Sequence, residues 1–114
     1  MLGDEGERLA AEHVLTLGWQ IAGRNARTRF GEIDLICRDR DGYVFVEVKT
    51  RRPSSFVTPL EAATGVKLRR LARLAAAWLA LHGERDAPWR LLIAAVTISD
   101  SGSTVELVPL DRWP

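Results

Sequence analysis

The strongest constraint on this 114-residue chain is a pair of charged β-type segments. Gly31-Glu32-Ile33-Asp34-Leu35-Ile36 and Val44-Phe45-Val46-Glu47-Val48-Lys49-Thr50-Arg51 each read as a strand, yet each carries charges two residues apart. Strand side chains alternate between faces, so residues i and i+2 share one. This expectation puts Glu32 and Asp34 on one face and Ile33 and Leu35 on the other. Likewise Phe45, Glu47 and Lys49 oppose Val44, Val46 and Val48. Between the segments lies Asp39-Arg40-Asp41-Gly42, and Asp-Gly favours a tight turn. A hairpin built this way gathers three carboxylates and one ammonium on one patch. Asp is depleted in strands, and clustered acids repel unless a cation sits among them. An ordinary wet sheet face accounts for any one of these residues. It accounts less well for the set, because Ile36 and Phe45 fall on the charged side. Acids and a Lys of this kind suit a hard divalent metal and its activated water.

The length fits one domain, residues 1–114, and an apolar content of 46% supplies an ordinary core. The single cysteine, Cys37, excludes an internal disulfide and a Cys-based zinc cage, and reads as a small buried hydrophobe. His13 and His82 match no zinc spacing. His13 falls within a helical pattern and reads as a helix-surface residue. No apolar run approaches twenty residues and no targeting segment is recognisable, so the expectation is a cytoplasmic protein without a membrane span.

The net charge of +1 names no partner, but its distribution does. Residues 24–73 hold twelve Lys or Arg against six Asp or Glu, and the rest of the chain is acidic. Three of those six acids are Glu32, Asp34 and Glu47. Basic surface around an acidic pocket suits a polyanion whose phosphate meets a metal. Solvated helix arginines are the plainer account of Arg69, Arg70 and Arg73.

The remaining pattern orders the elements as α-β-β-β-α-β-β. A helix over 3–17 has Asp4 as its cap, Glu7 in capping-box position and Gly18 as its stop. Residues 19–29 have β character with an Arg-rich, loop-like end. Strands follow near 31–38 and 43–50. Pro59 opens a helical region, kinked at Gly65, that runs to about 81 with an apolar stripe suited to packing on a sheet. A strand over 91–99 reads as buried on both faces, and a last strand covers 105–110. Three adjacent strands imply an antiparallel meander. The crossover helix then lets the fourth strand pair in parallel. The expected fold is a mixed sheet of about five strands with a helix on each side.

An acid followed on the next strand by acid-any-Lys, here Asp34 and Glu47-Val48-Lys49, resembles the PD-(D/E)XK nuclease superfamily with its restriction-endonuclease-like fold. A fuller pattern is similar to the bacterial UPF0102 (YraN-like) family and covers nearly the whole chain. It comprises Gly6-Glu7, Gly18, Arg24-Asn25-Ala26-Arg27, Gly31 to Asp34, Val44 to Arg51, Glu61-Ala62-Ala63 and Lys67. Archaeal Holliday-junction resolvases are more distantly similar, including an early-helix Glu. The chain departs from the family at Phe56-Val57, where Phe-Gly is usual.

The resemblance implies metal-dependent phosphodiester hydrolysis. Asp34 and Glu47 would hold Mg²⁺ or Mn²⁺, with the Val48 carbonyl as a third ligand and Glu7 reaching a metal-bound water. The capping-box role for Glu7 stands beside this with equal weight. Lys49 would orient the attacking water or stabilise phosphate charge. Glu32 either joins the site or pairs with an arginine such as Arg27. Arg24, Arg27, Arg51, Arg52, Lys67 and Arg70 would contact phosphates, which positions nucleic acid without reading sequence. No base-reading helix is recognisable, so the expected substrate is branched or junction DNA in repair or recombination. Two symmetric cuts would require a homodimer. The competing class is a non-catalytic nucleic-acid-binding adaptor on the same scaffold, for which loss of Asp34, Glu47 or Lys49 would be expected. A purely structural module using exposed tryptophans among Trp19, Trp78, Trp89 and Trp113 is a third, weaker class.

Overall fold

The computed structural model describes residues 2–53 and 65–110. Pro59, the Phe56-Val57 pair, Glu61-Ala62-Ala63 and Trp113 lie outside the described residues. The elements follow the expected order: α1 (Leu2–Thr16), β1 (Gln20–Thr28), β2 (Gly31–Asp39), β3 (Gly42–Arg51), α2 (Gly65–Leu81), β4 (Trp89–Ser99) and β5 (Gly102–Pro109). They form one sheet in the order β1-β2-β3-β4-β5. Only the β3–β4 pair is parallel, the one joined through a helix.

The two helices cover opposite faces, and each strand face has its own core. Leu71, Leu74, Trp78 and Leu79 of α2 join Ile36, Phe45 and Ile93 in one cluster. Ala10, Ala11 and Val14 of α1 join Leu35, Val44, Val46 and Val96 in the other. The strict alternation of β3 explains this division, since Phe45 faces α2 while Val44 and Val46 face α1. In β4, Ile93 faces α2 while Leu92, Ala94 and Val96 face α1, so its middle is buried on both sides as expected. Cys37 is fully buried, and burial pushes its thiol up to about 11, consistent with an inert core residue.

Three local readings change. β1 continues as strand through its Arg-rich end to Thr28, because it pairs with β2 as far as Thr28 opposite Gly31. α1 begins at Leu2, so Asp4 and Glu5 lie in its first turn rather than before it. Asp4 is therefore no cap, and its charge favours the helix through the dipole instead. The capping-box alternative for Glu7 falls with it. The last strand starts earlier, at Gly102, and its expected final residue Leu110 is buried just past the strand end. Among the described residues no helix is long and apolar enough to cross a membrane.

Helix α1 is set close to β3 by one residue. A methyl group at Gly6 would overlap the Thr50 hydroxyl and stand 2.8 Å from Thr50 Cβ. Thr50 is β-branched and stiff, so the helix rather than the side chain would have to yield. Gly6→Ala should therefore lower stability by about 1–2 kcal/mol, overpacking outweighing the better helix propensity of Ala. Thr50→Ala should recover part of that loss in a double-mutant cycle measured by urea unfolding. Additive effects of the two changes would show that α1 does not bear on Thr50.

Candidate active site

The site arises where two paired strands part. β2 and β3 are in register from Asp39 opposite Gly42 to Leu35 opposite Val46, and there the ladder stops. Beyond it β2 pairs only with β1, while β3 continues alongside β4 to Arg51. The sheet thus forks at Asp34. The Val48 N–H, left without a β2 carbonyl, donates instead to Asp34 Oδ2 at 2.8 Å. The N–H and C=O of one strand residue point to the same edge, so the Val48 carbonyl faces the fork as well.

Asn25 lies opposite Asp34, between the Arg24–Leu35 and Ala26–Ile33 pairs, and has a φ of +50°. That conformation is disfavoured for most side chains and tolerated by Asn. Both strands exchange faces at this point. Leu35 packs on the α1 side, whereas Ile33 packs on the α2 side. The expected co-facial pair of Ile33 and Leu35 is thereby corrected, and so is the single patch of Glu32, Asp34, Glu47 and Lys49. Strict alternation fails because the Asn25–Asp34 kink interrupts it. The sequence pattern contains Asn25 but gives no reason to place it left-handed, beyond the tolerance of Asn for that region.

The acids instead line the fork from one face of the sheet to the other. Glu7 approaches Asp34 from α1, and the two carboxyls line one small cavity and influence each other's titration. Glu47 lies on the α2 side, where its Oε1 is 3.2 Å from Lys67 Nζ and 3.7 Å from Lys49 Nζ. Glu47 Oε2 is buried and has no hydrogen-bond partner among the described residues. Glu32 pairs with Arg27 at 3.0 Å on exposed surface, the second of its two expected roles, while its charge still bears on Glu7 and Asp34. That pair contributes little to stability.

The basic residues divide similarly. Arg24 lines a cavity of about 140 Å³ together with Glu7 and Asp34. Arg52 and Arg70 are exposed, as is Arg51, whose Nε reaches Thr97 Oγ1 only at 3.5 Å. Lys67 is not the open phosphate contact expected of it. Its side chain is 16% exposed against 44% for Lys49, and its ammonium lies against Glu47. Burial lowers the Lys67 pKa below the ordinary Lys value, with the Glu47 carboxylate pulling the other way. Lys49 is the more accessible cation.

Burial raises both carboxyl pKa values at the centre of the fork. Asp34 is raised chiefly by desolvation, opposed by the Val48 hydrogen bond and reinforced by the Glu47 charge. Glu7 is raised by desolvation and by Asp34. Among the described residues no three acid, His or Cys side chains converge tightly enough to enclose a metal. Asp34 and Glu47 with the Val48 carbonyl nevertheless suit a hard cation that keeps most of its waters. The unpartnered Glu47 Oε2 and the two desolvated carboxylates are oxygen donors in want of positive charge.

Comparison with known proteins yields one family and many relatives. The model of "Uncharacterised protein family UPF0102" matches residues 6–98. A UPF0102 protein of Nocardia farcinica is 52% identical over 78% of this chain and 68% of its own length. Relatives from Symbiobacterium thermophilum and Kineococcus radiotolerans are 48% and 46% identical, covering 89% and 94% of this chain and 86% and 89% of theirs. Among solved structures, Pyrococcus furiosus SfsA in complex with Ca²⁺ aligns with a TM-score of 0.43 at 16% identity, over 95% of this chain. This chain spans 62% of that one, less than two thirds of its length.

A pH prediction follows from the Glu7–Asp34 pair. The unfolded chain titrates these groups near 4.5 and 3.8, and the folded chain at higher pH. The folded state therefore binds more protons, so stability falls as pH rises from about 4 through the raised values, then levels off. In chelator, Asp34→Asn should remove most of that loss and melt higher than the natural chain at pH 7. Equal melting shifts between pH 4 and pH 7 in both proteins would contradict the raised pKa of the Glu7–Asp34 pair.

Proposed function

The chain belongs to the UPF0102 family, and on that premise we propose that it is a Mg²⁺- or Mn²⁺-dependent nuclease of the PD-(D/E)XK type. Its proposed substrate is branched or junction DNA in the cytoplasm, in repair or recombination. The carrying observation is the fork itself, where Asp34 and the half-buried Glu47, one of whose oxygens is buried and unpartnered among the described residues, flank the Val48 backbone beside two lysines.

Phosphodiester hydrolysis needs an in-line water and neutralisation of the phosphate. A bound Mg²⁺ would supply that charge and acidify a water. Asp34 and Glu47 would hold it, with the Val48 carbonyl at the same edge. Glu7 would keep or take a proton at the α1 side of Asp34. Lys67 fixes the Glu47 carboxylate from the α2 side. Lys49, more exposed and 3.7 Å from Glu47, meets the attacking water or the phosphate. Arg24 lines a cavity with Asp34, and with the exposed Arg51, Arg52 and Arg70 would position phosphates without reading bases. Arg27, already paired with Glu32, adds less.

Mn²⁺ should raise the melting temperature of the natural chain through linkage, and Asp34→Asn should abolish that response. In assays on linear, branched and four-way DNA, Lys49→Ala should slow cleavage by about two orders of magnitude with nearly unchanged affinity. Glu47→Ala should abolish cleavage and bind DNA at least as tightly. Equal cleavage by all three preparations would assign the activity to a contaminating enzyme. Salt-sensitive binding without any cleavage would establish the non-catalytic adaptor in place of the nuclease.

A further inference from the structure

A second surface stands apart from the acid fork. A shallow groove of about 400 Å³ crosses the outer face of α2 near Ala77, lined also by Phe30, Trp89, Arg29, Arg73 and Arg85. Among the described residues no acidic side chain lines it, and none of its three arginines has an ion-pair partner. The Arg29 guanidinium lies over the Phe30 ring, 4.8 Å from its centre. Trp89 is 38% exposed although its ring is held edge-on against Phe45 at 6.1 Å. Unneutralised cations beside a fixed, exposed aromatic ring match an anion that also carries flat apolar faces.

A row of basic residues on α2 leads from the fork to the groove. Lys67, which holds Glu47, is followed one helical turn later by Arg70 and a further turn later by Arg73. Three residues advance a helix by about 4.5 Å, so the stripe runs outward from the acids toward the groove. Arg70 lies against Gly31, beside the Arg29-Phe30 turn. We infer that this groove binds a single-stranded arm of nucleic acid leaving the fork, its bases stacking on Trp89 and the Arg29–Phe30 pair and its phosphates meeting Arg73 and Arg85. A duplex keeps its base faces inside the stack, whereas a single strand offers them to aromatic side chains. The inference rests on the nuclease reading and narrows its substrate to one with a single-stranded branch.

The test measures binding in chelator, where cleavage plays no part. The probes are a short labelled oligothymidylate, a duplex of equal length and a Glu-rich peptide ending in Phe. The surface double variant Arg73→Gln/Arg85→Gln should bind the oligothymidylate about tenfold more weakly. Its log–log salt slope should shrink by about 1.4, the release expected for two single-strand phosphate contacts. Its duplex affinity should stay within about twofold of the natural chain. Oligothymidylate should quench tryptophan fluorescence in the natural chain, and Trp89→Phe should remove most of that quench. Unchanged oligothymidylate binding by the double variant, with duplex binding intact, would overturn the groove and leave the nuclease reading standing. Failure of the natural chain to bind either nucleic acid would overturn both. Tighter binding of the peptide than of oligothymidylate, lost in the double variant, would make the groove a protein-docking face and overturn the inference.

Discussion

One hydrogen bond organises the forked end of the sheet: the Val48 N–H donates to the Asp34 carboxylate where a backbone carbonyl would otherwise be. A strand that leaves its neighbour normally exposes a row of unpaired donors and acceptors. Here the parting of β2 from β3 is made tolerable by an acid that takes the first vacated ladder position. The same acid is thereby held at the crotch of the fork, half-removed from water. Its raised pKa, its contact with Glu7 and its closeness to Glu47 all follow from that placement.

The fork also explains why the two helices are where they are. α1 can bring Glu7 to Asp34 only because Gly6 lets it rest on Thr50. α2 brings Lys67 to Glu47 from the opposite face. Each helix is anchored by an ordinary apolar cluster, and neither cluster contains a buried polar side chain. The apolar packing and the charged groups are therefore spatially separated along the sheet. The middle of β2 and β3 is dry and packed, and their diverging ends carry the charges. Glu47 is the boundary case, since Phe45 of the same face is fully buried while Glu47 keeps one oxygen on two lysines and the other unpartnered.

Periodicity was sufficient wherever a residue's environment is set by its own strand or helix. The period-two alternation of Val44 to Val48 assigned Phe45 and the valines to their correct faces. The apolar stripe of α2 identified the helix that covers the sheet. The Asp-Gly turn located the hairpin, in which Asp39 Oδ1 accepts from the Asp41 and Gly42 N–H groups. Alternation failed at Asp34, because the left-handed Asn25 on the neighbouring strand reverses both chains. The kink depends on a cross-strand partner, which no window along β2 contains. The capping-box pattern of Asp4 and Glu7 misled for a related reason, since the helix starts before it.

The sequence by itself determined the element order, the mixed sheet and the identity of Asp34, Glu47 and Lys49 as the residues to watch. Those depend on local pattern and on residue chemistry. Only the tertiary structure decided that Glu32 turns away to Arg27, that Lys67 turns inward to Glu47, and that Glu7 meets Asp34. Each of these outcomes is a competition between charged partners from different elements. A charged side chain is long and finds its partner through space, so its choice is fixed by which strands part and how closely the helices approach.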